Sequence, residues 1–259
     1  MIKKLLKDLA PVAALALGAM AAGCGEMNVS FGEGDGVPLS ELDMSGPAPR
    51  SLVLASPDSV VVTRGDRLAI TVEGDADATE AMRFSLDDDT LAISREKDAR
   101  QTRGRATIRV TMPSLHAIVL AGSGGIAAQS MAGNAEVTIA GSGRVDVATL
   151  QAQKLDVNLA GSGTFAAGGS AERLDLTVAG SGTAEMDELQ VERADVNIMG
   201  SGEGAFASDG SVEANIMGSG EVTVFGRASC TINSMGSGKL NCRDANPADG
   251  SEARTEPAE

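Results

Sequence analysis

The chain has 259 residues and a net charge of −15, from 21 basic and 36 acidic side chains, with one His, three Cys, five Phe and no Trp or Tyr. Such acidity excludes a charge-driven grip on nucleic acid or on anionic lipid. One histidine excludes multi-histidine metal sites, and the scarcity of aromatic faces argues against a tight carbohydrate groove.

Residues 1–23 place Lys3, Lys4 and Lys7 before a short apolar run and small residues. That order reads as a secretory signal peptide, too short for a membrane span. Ala21-Ala22-Gly23-Cys24 resembles a bacterial lipobox with Ala21 where leucine is usual, so Cys24 is the expected lipidation site. Cleavage after Ala21 is the alternative, and would leave a periplasmic or secreted chain. With Gly25 after the cysteine there is no aspartate to favour inner-membrane retention, so the expectation is an outer-membrane lipid anchor. Loss of residues 1–23 leaves 18 basic and 35 acidic side chains, a net charge of −17. Residues 24–49 are Gly/Pro-rich and acidic, as a flexible tether is.

Residues 50–113 alternate apolar and polar, with turns at Ser56-Pro57-Asp58, Arg64-Gly65-Asp66, Gly74-Asp75 and Asp87-Asp88-Asp89. Four or five strands are expected, forming the opening coils or cap of a longer β-structure.

From residue 114 to 243 a repeat takes over. Gly-Ser-Gly occurs seven times, starting at Gly122, Gly141, Gly161, Gly180, Gly200, Gly218 and Gly236, at steps of 18 to 20 residues. A fixed period of this length marks one structural unit wound repeatedly, and the unit is strand-like. The fold expected is all-β, a parallel β-helix or β-solenoid of about seven rungs, with a right-handed coil favoured. Two columns should face inward, one holding Ile118 to Ile232 four residues before each corner, the other Leu120 to Ser234 two residues before it. The residue immediately before the corner is Ala, then Met199, Met217 and Met235, and is expected to fill an interior of changing width. Between the apolar columns, Asn and Thr can bond to their own kind one rung away. Glycine on both sides of the serine allows a positive φ and a sharp corner.

Cys230 and Cys242 flank the last corner on its two arms and can pair, in a compartment that permits a disulfide. Cys24 is then the odd one of three, which lipidation accounts for. Residues 244–259 form a polar, disordered tail.

The opening strands SLVLASPDSVVVTRGDRLAITVEG, the run IRVTMPSLHAIVLAGSG and the Gly-Ser-Gly corners together resemble the head GIN domain family, labelled "putative autotransporter adhesins" and otherwise a domain of unknown function. The resemblance covers residues 50–243, and Cys230 and Cys242 also fit it. It implies a bacterial envelope protein with a β-solenoid fold and no established activity. No catalytic motif comes with it.

Three groups of residues could carry chemistry. Glu136, Asp156, Asp175, Asp195 and Glu213 occupy the fifth position before successive corners and should line one outer face. They could form a cation site or acidic strip. The preferred reading is a surface ion network, because Lys154, Arg173 and Arg193 lie two residues before Asp156, Asp175 and Asp195. The corner serines Ser123, Ser142, Ser162, Ser181, Ser201, Ser219 and Ser237 form a second ladder, read as a turn requirement since no base accompanies each copy. His116 alone is a weak basis for a hydrolytic triad and is read as an inert surface residue.

The expectation is a non-enzymatic, lipid-anchored envelope protein acting as adhesin or surface scaffold, with no catalytic residue, metal or cofactor. Its expected partners are the membrane, through the lipid, and an unidentified envelope protein or polysaccharide, with no nucleic acid and with oligomerisation open. The alternative is a β-helix enzyme acting on a polysaccharide, a lyase or glycoside hydrolase using the Asp156, Asp175 and Asp195 column.

Overall fold

The computed structural model describes residues 36–87, 89–96 and 104–243. The expected signal peptide, Cys24, the first part of the tether and the tail 244–259 lie outside the described residues.

The repeats form a parallel β-solenoid. Its strands are β7 (Ala117–Gly122), β8 (Gly125–Gly141), β9 (Arg144–Gly161), β10 (Thr164–Gly180), β11 (Thr183–Gly200), β12 (Glu203–Gly218), β13 (Glu221–Phe225), β14 (Ser229–Gly236) and β15 (Lys239–Arg243). Each long strand leaves one corner, bends near its middle where the register shifts, and ends at the next corner. The corners stack in register, Gly122 on Gly141, Gly141 on Gly161, and so on to Gly236.

The triplet's two glycines serve different ends. The first has a positive φ in every repeat, and a Cβ on Gly141 would lie 2.4 Å from the Gly122 carbonyl oxygen one coil away. The second has no positive φ. It is needed because a Cβ on Gly143 would strike Leu120 and the Gly124 carbonyl, at 2.5 and 2.6 Å. The expected role of φ therefore holds for the first glycine only, and close stacking explains the second.

The two apolar columns face inward as expected for six coils, from Ile118 and Leu120 to Ala214 and Ile216. In the last coil Ile232 and Ser234 are exposed, because no further coil among the described residues covers them. The methionine column differs from the expectation. Met199, Met217 and Met235 are 41, 55 and 76% exposed. The reason is strand alternation: the residue next to the corner shares its side with the polar Asn/Thr column, so it points outward.

Residues 50–113 contribute six strands, one more than the most expected, and one short helix that was not expected. They are β1 (Ser51–Ala55), β2 (Ser59–Arg64), β3 (Ala69–Gly74), α1 (Ala76–Glu80), β4 (Met82–Asp87), β5 (Thr90–Arg95) and β6 (Ala106–Met112). These make coils of the same solenoid, but not in sequence order. β1 and β2, joined by Ser56-Pro57-Asp58, pair in parallel with β7 and β8 on one side and with β5 and β6 on the other. The first coil in sequence thus lies second in space. β3 and β4 then add antiparallel to β6 and β5 and terminate that end, sparing it an open parallel edge. The segment expected to be a tether is, from Gly36, laid on this cap: Val37 bridges Phe84, and Leu39 and Leu42 pack against the core.

Candidate functional site

The outer surface of the solenoid is built of columns, so a candidate site is a column or the space between columns. In-register pairing sets Glu136 beside Asp156, Asp156 beside Asp175, Asp175 beside Asp195, and Asp195 beside Glu213. All five point outward, the first three half-buried and the last two exposed. Lys154 Nζ lies 2.9 Å from Asp156 and 2.7 Å from Asp175, tying two coils together, and both contacts raise its pKa. The expected pairing along one strand therefore occurs once. Arg173 and Arg193 make no ion pair with Asp175 or Asp195 among the described residues, both being exposed on the coil surface. At the start of the column, burial and then the Asp156 charge raise the pKa of Glu136, with Lys154 opposing them.

A second acidic grouping was not anticipated. Five residues after the first corner glycine, the outward positions run Ala127, Asp146, Ala166, Glu185, Ala205, in register across the coils. Acid alternates with alanine, and the alanines leave an open groove of about 640 Å³ rimmed by Asp146, Glu185, Asp187 and Glu188. Arg144 pairs with two of these acids, 2.8 Å from Asp146 and 2.9 Å from Glu185, and these contacts raise its pKa. The signal in the sequence is the alternation of acid and alanine at the fifth position after each first corner glycine. None of the five column acids lines the groove.

All seven corner serines are exposed. Their backbone N–H groups hold the stack, Ser142 N–H donating to the Gly122 carbonyl and Ser162 N–H to that of Gly141. Among the described residues no corner serine hydroxyl has a hydrogen bond to a base. The asparagine ladder forms in the last three coils, where Asn233 donates to Asn215 and Asn215 to Asn197, at 3.0 and 3.3 Å.

His116 is not an idle surface residue. The Arg50 guanidinium donates to Nε2 at 2.9 Å, which leaves the ring proton on Nδ1 to be donated to Ser114 Oγ at 3.0 Å. Burial and then the Arg50 charge lower its pKa, with Asp89 opposing. A triad places the nucleophile and the orienting carboxylate on opposite ring nitrogens, whereas here a cation holds one of them. His116 and Arg50 fasten the link between β6 and β7 to the start of β1, where the Arg50 carbonyl also accepts from the His116 N–H.

Cys230 and Cys242 form a disulfide, Cα atoms 6.8 Å apart, across the last corner. It joins β14 to β15, the coil with no neighbour beyond it among the described residues.

Known proteins share this architecture. A family model described as "Putative auto-transporter adhesin, head GIN domain" matches residues 48–228. A solved structure of a "putative adhesin" from Bacteroides fragilis has a TM-score of 0.68 at 20% identity, covering 75% of this chain and 92% of its own. A "putative lipid binding protein" from Parabacteroides distasonis has a TM-score of 0.59 at 23% identity, covering 76% of this chain and 94% of its own. A "putative adhesin" from the same organism gives 0.60 at 17% identity, with 76 and 94% covered. At these identities the likeness shows the fold. Among curated proteins nothing matches the chain.

Proposed function

Because the chain belongs to the head GIN domain family of "putative auto-transporter adhesins", we propose that it is a non-enzymatic cell-envelope protein, lipid-anchored through Cys24, that displays its solenoid surface for attachment or as a scaffold. The observation that supports this reading is the recurrence of the corner serines and of the column acids along the solenoid. The serines recur at all seven corners and the acids in five successive coils, and among the described residues no copy is set apart by a base, a deep cleft or an unpaired buried charge. Catalysis needs one differentiated constellation, whereas adhesion gains from many equivalent weak contacts.

Two measurements test it. Deleting the gene should reduce attachment of the cells to a surface or to other cells, and unchanged attachment removes the adhesin half of the proposal. Intact mass and fractionation test the anchor. A diacylglycerol-sized mass increment and membrane association, both lost on Cys24→Ser, are expected; a soluble chain cut near Ala21 with no added mass would overturn the lipoprotein.

A further inference from the structure

The three outward methionines form an exposed ladder. Parallel pairing sets Met199 beside Met217 and Met217 beside Met235, and exposure grows toward the open end. In the earlier coils the same position is alanine, at Ala121, Ala140, Ala160 and Ala179. A larger residue is therefore not required by the corner. Leucine or isoleucine would supply apolar surface equally well; what the three coils share is a thioether.

Thioether sulfur is a weak, soft donor that selects soft closed-shell cations over magnesium or calcium. Neighbouring strands lie about 4.7–4.9 Å apart, so methionines extended alike from adjacent coils can bring their sulfurs to about that spacing. A metal–sulfur bond is about 2.3 Å, as in zinc–thiolate sites, so two sulfurs on opposite sides of one ion need about 4.6 Å. In-register methionines on adjacent coils can therefore reach the separation a two-sulfur site requires. The asparagines two residues earlier are bonded across the same three coils, which fixes the spacing of the backbone beneath.

We propose that Met199, Met217 and Met235 bind a soft monovalent cation, Cu(I) or its redox-inert analogue Ag(I), between sulfurs of adjacent coils. This does not rest on the adhesin reading.

The test is a silver nitrate titration, in chloride-free buffer, of the full chain carrying Cys24→Ser, which removes a thiol that would itself take silver. The methionine methyl resonances report binding, and Met44, exposed at 41% outside the ladder, is the internal reference. The ladder methyls should shift saturably at silver concentrations at least tenfold below those that move Met44. Met217→Leu should abolish this preference, because it leaves Met199 and Met235 two coils apart. Met199→Leu should keep it, because an adjacent pair survives. If Met44 titrates in step with the ladder, if no ladder methyl shifts, or if Met217→Leu and Met199→Leu behave alike, the proposal fails.

Discussion

The Asp58 carboxylate and the Arg95 guanidinium, 37 residues apart in sequence, meet in the interior at 2.5 Å with both side chains out of contact with water. Asp58 ends the Ser-Pro-Asp corner between β1 and β2, and Arg95 ends β5 in the adjacent coil. Asp58 also accepts from the Ala106 N–H at the start of β6, while Arg95 donates to the Gly104 carbonyl. The pair thereby closes the one coil whose arms are joined by a long connection in place of a three-residue corner.

Removing one partner of such a pair strands the other charge. Asp58→Ala should cost about 3–5 kcal/mol, whereas the double change Asp58→Leu with Arg95→Met should recover most of it. Urea unfolding of the single and double variants checks this. Equal loss in both would mean that the contribution lies in shape and not in charge.

The same pair sets an acid limit. Burial works to raise the Asp58 pKa, but hydrogen bonds from Arg95, Ala106 and Ser56 outweigh it, and the net shift is downward. The unfolded chain therefore binds the proton more readily than the folded one. The stability contributed by Asp58 is present above its unfolded pKa and is lost as pH falls through the lower folded value. Acid unfolding should begin in the cap, seen as hydrogen exchange rising in β5 and β6 before β9 and β10.

Glu136 has the opposite sign. Its raised pKa means the folded state holds the proton longer, so its contribution declines as pH rises through the window between the unfolded and folded values. Lys154→Met removes the opposing charge and should move the Glu136 titration further up, as read by carboxyl carbon shifts. The stability change should stay within about 1 kcal/mol, because the Lys154 contacts are partly exposed. A downward move of the Glu136 titration would contradict the assigned role of Lys154.

At a single corner, glycine and serine should separate cleanly. Gly141→Ala combines a positive φ of 128° with a clash against the neighbouring carbonyl, and should cost at least about 2 kcal/mol. Ser142→Ala, at an exposed side chain, should stay within about 0.5 kcal/mol. Comparable losses in denaturant would give the hydroxyl a part it lacks in the structure.

Reducing the disulfide should loosen the end and not the whole. The bridge spans 12 residues, a loop for which the entropic stabilisation is about 3 kcal/mol. With Cys230→Ser and Cys242→Ser, exchange protection should fall in β14 and β15 and persist in β9 and β10. A uniform fall would show that the solenoid unfolds as one unit.

The repeated half of the fold was legible because one period carried both the corner and the alternation: Val137 and Ile139 announce an inward pair as clearly as Val157 and Leu159. The methionines were misread by residue type, although alternation from Ile198 already put Met199 outside. The position of β1 and β2 between β5/β6 and β7/β8 was not legible, since partner choice among alternating strands is set by three-dimensional closure. The alternating acids at Asp146 and Glu185 were present in the sequence, but only coil stacking turns alanine gaps into a groove. Arg50 with His116, and Arg95 with Asp58, join residues too far apart for spacing to suggest them.

The out-of-order first coil also bears on how the chain acquires its structure. Within the repeats a strand finds its neighbour about one period away, whereas Ser51 must await Ala117, 66 positions downstream. Closing that longer loop costs only about 1 kcal/mol more in chain entropy. It nevertheless turns a local zipping process into one with a long-range step, and such steps slow folding. When the chain emerges amino terminus first during synthesis, β1 and β2 appear early and remain half-paired until β7 and β8 arrive. The interval is when a holding chaperone would find the most exposed sheet edge.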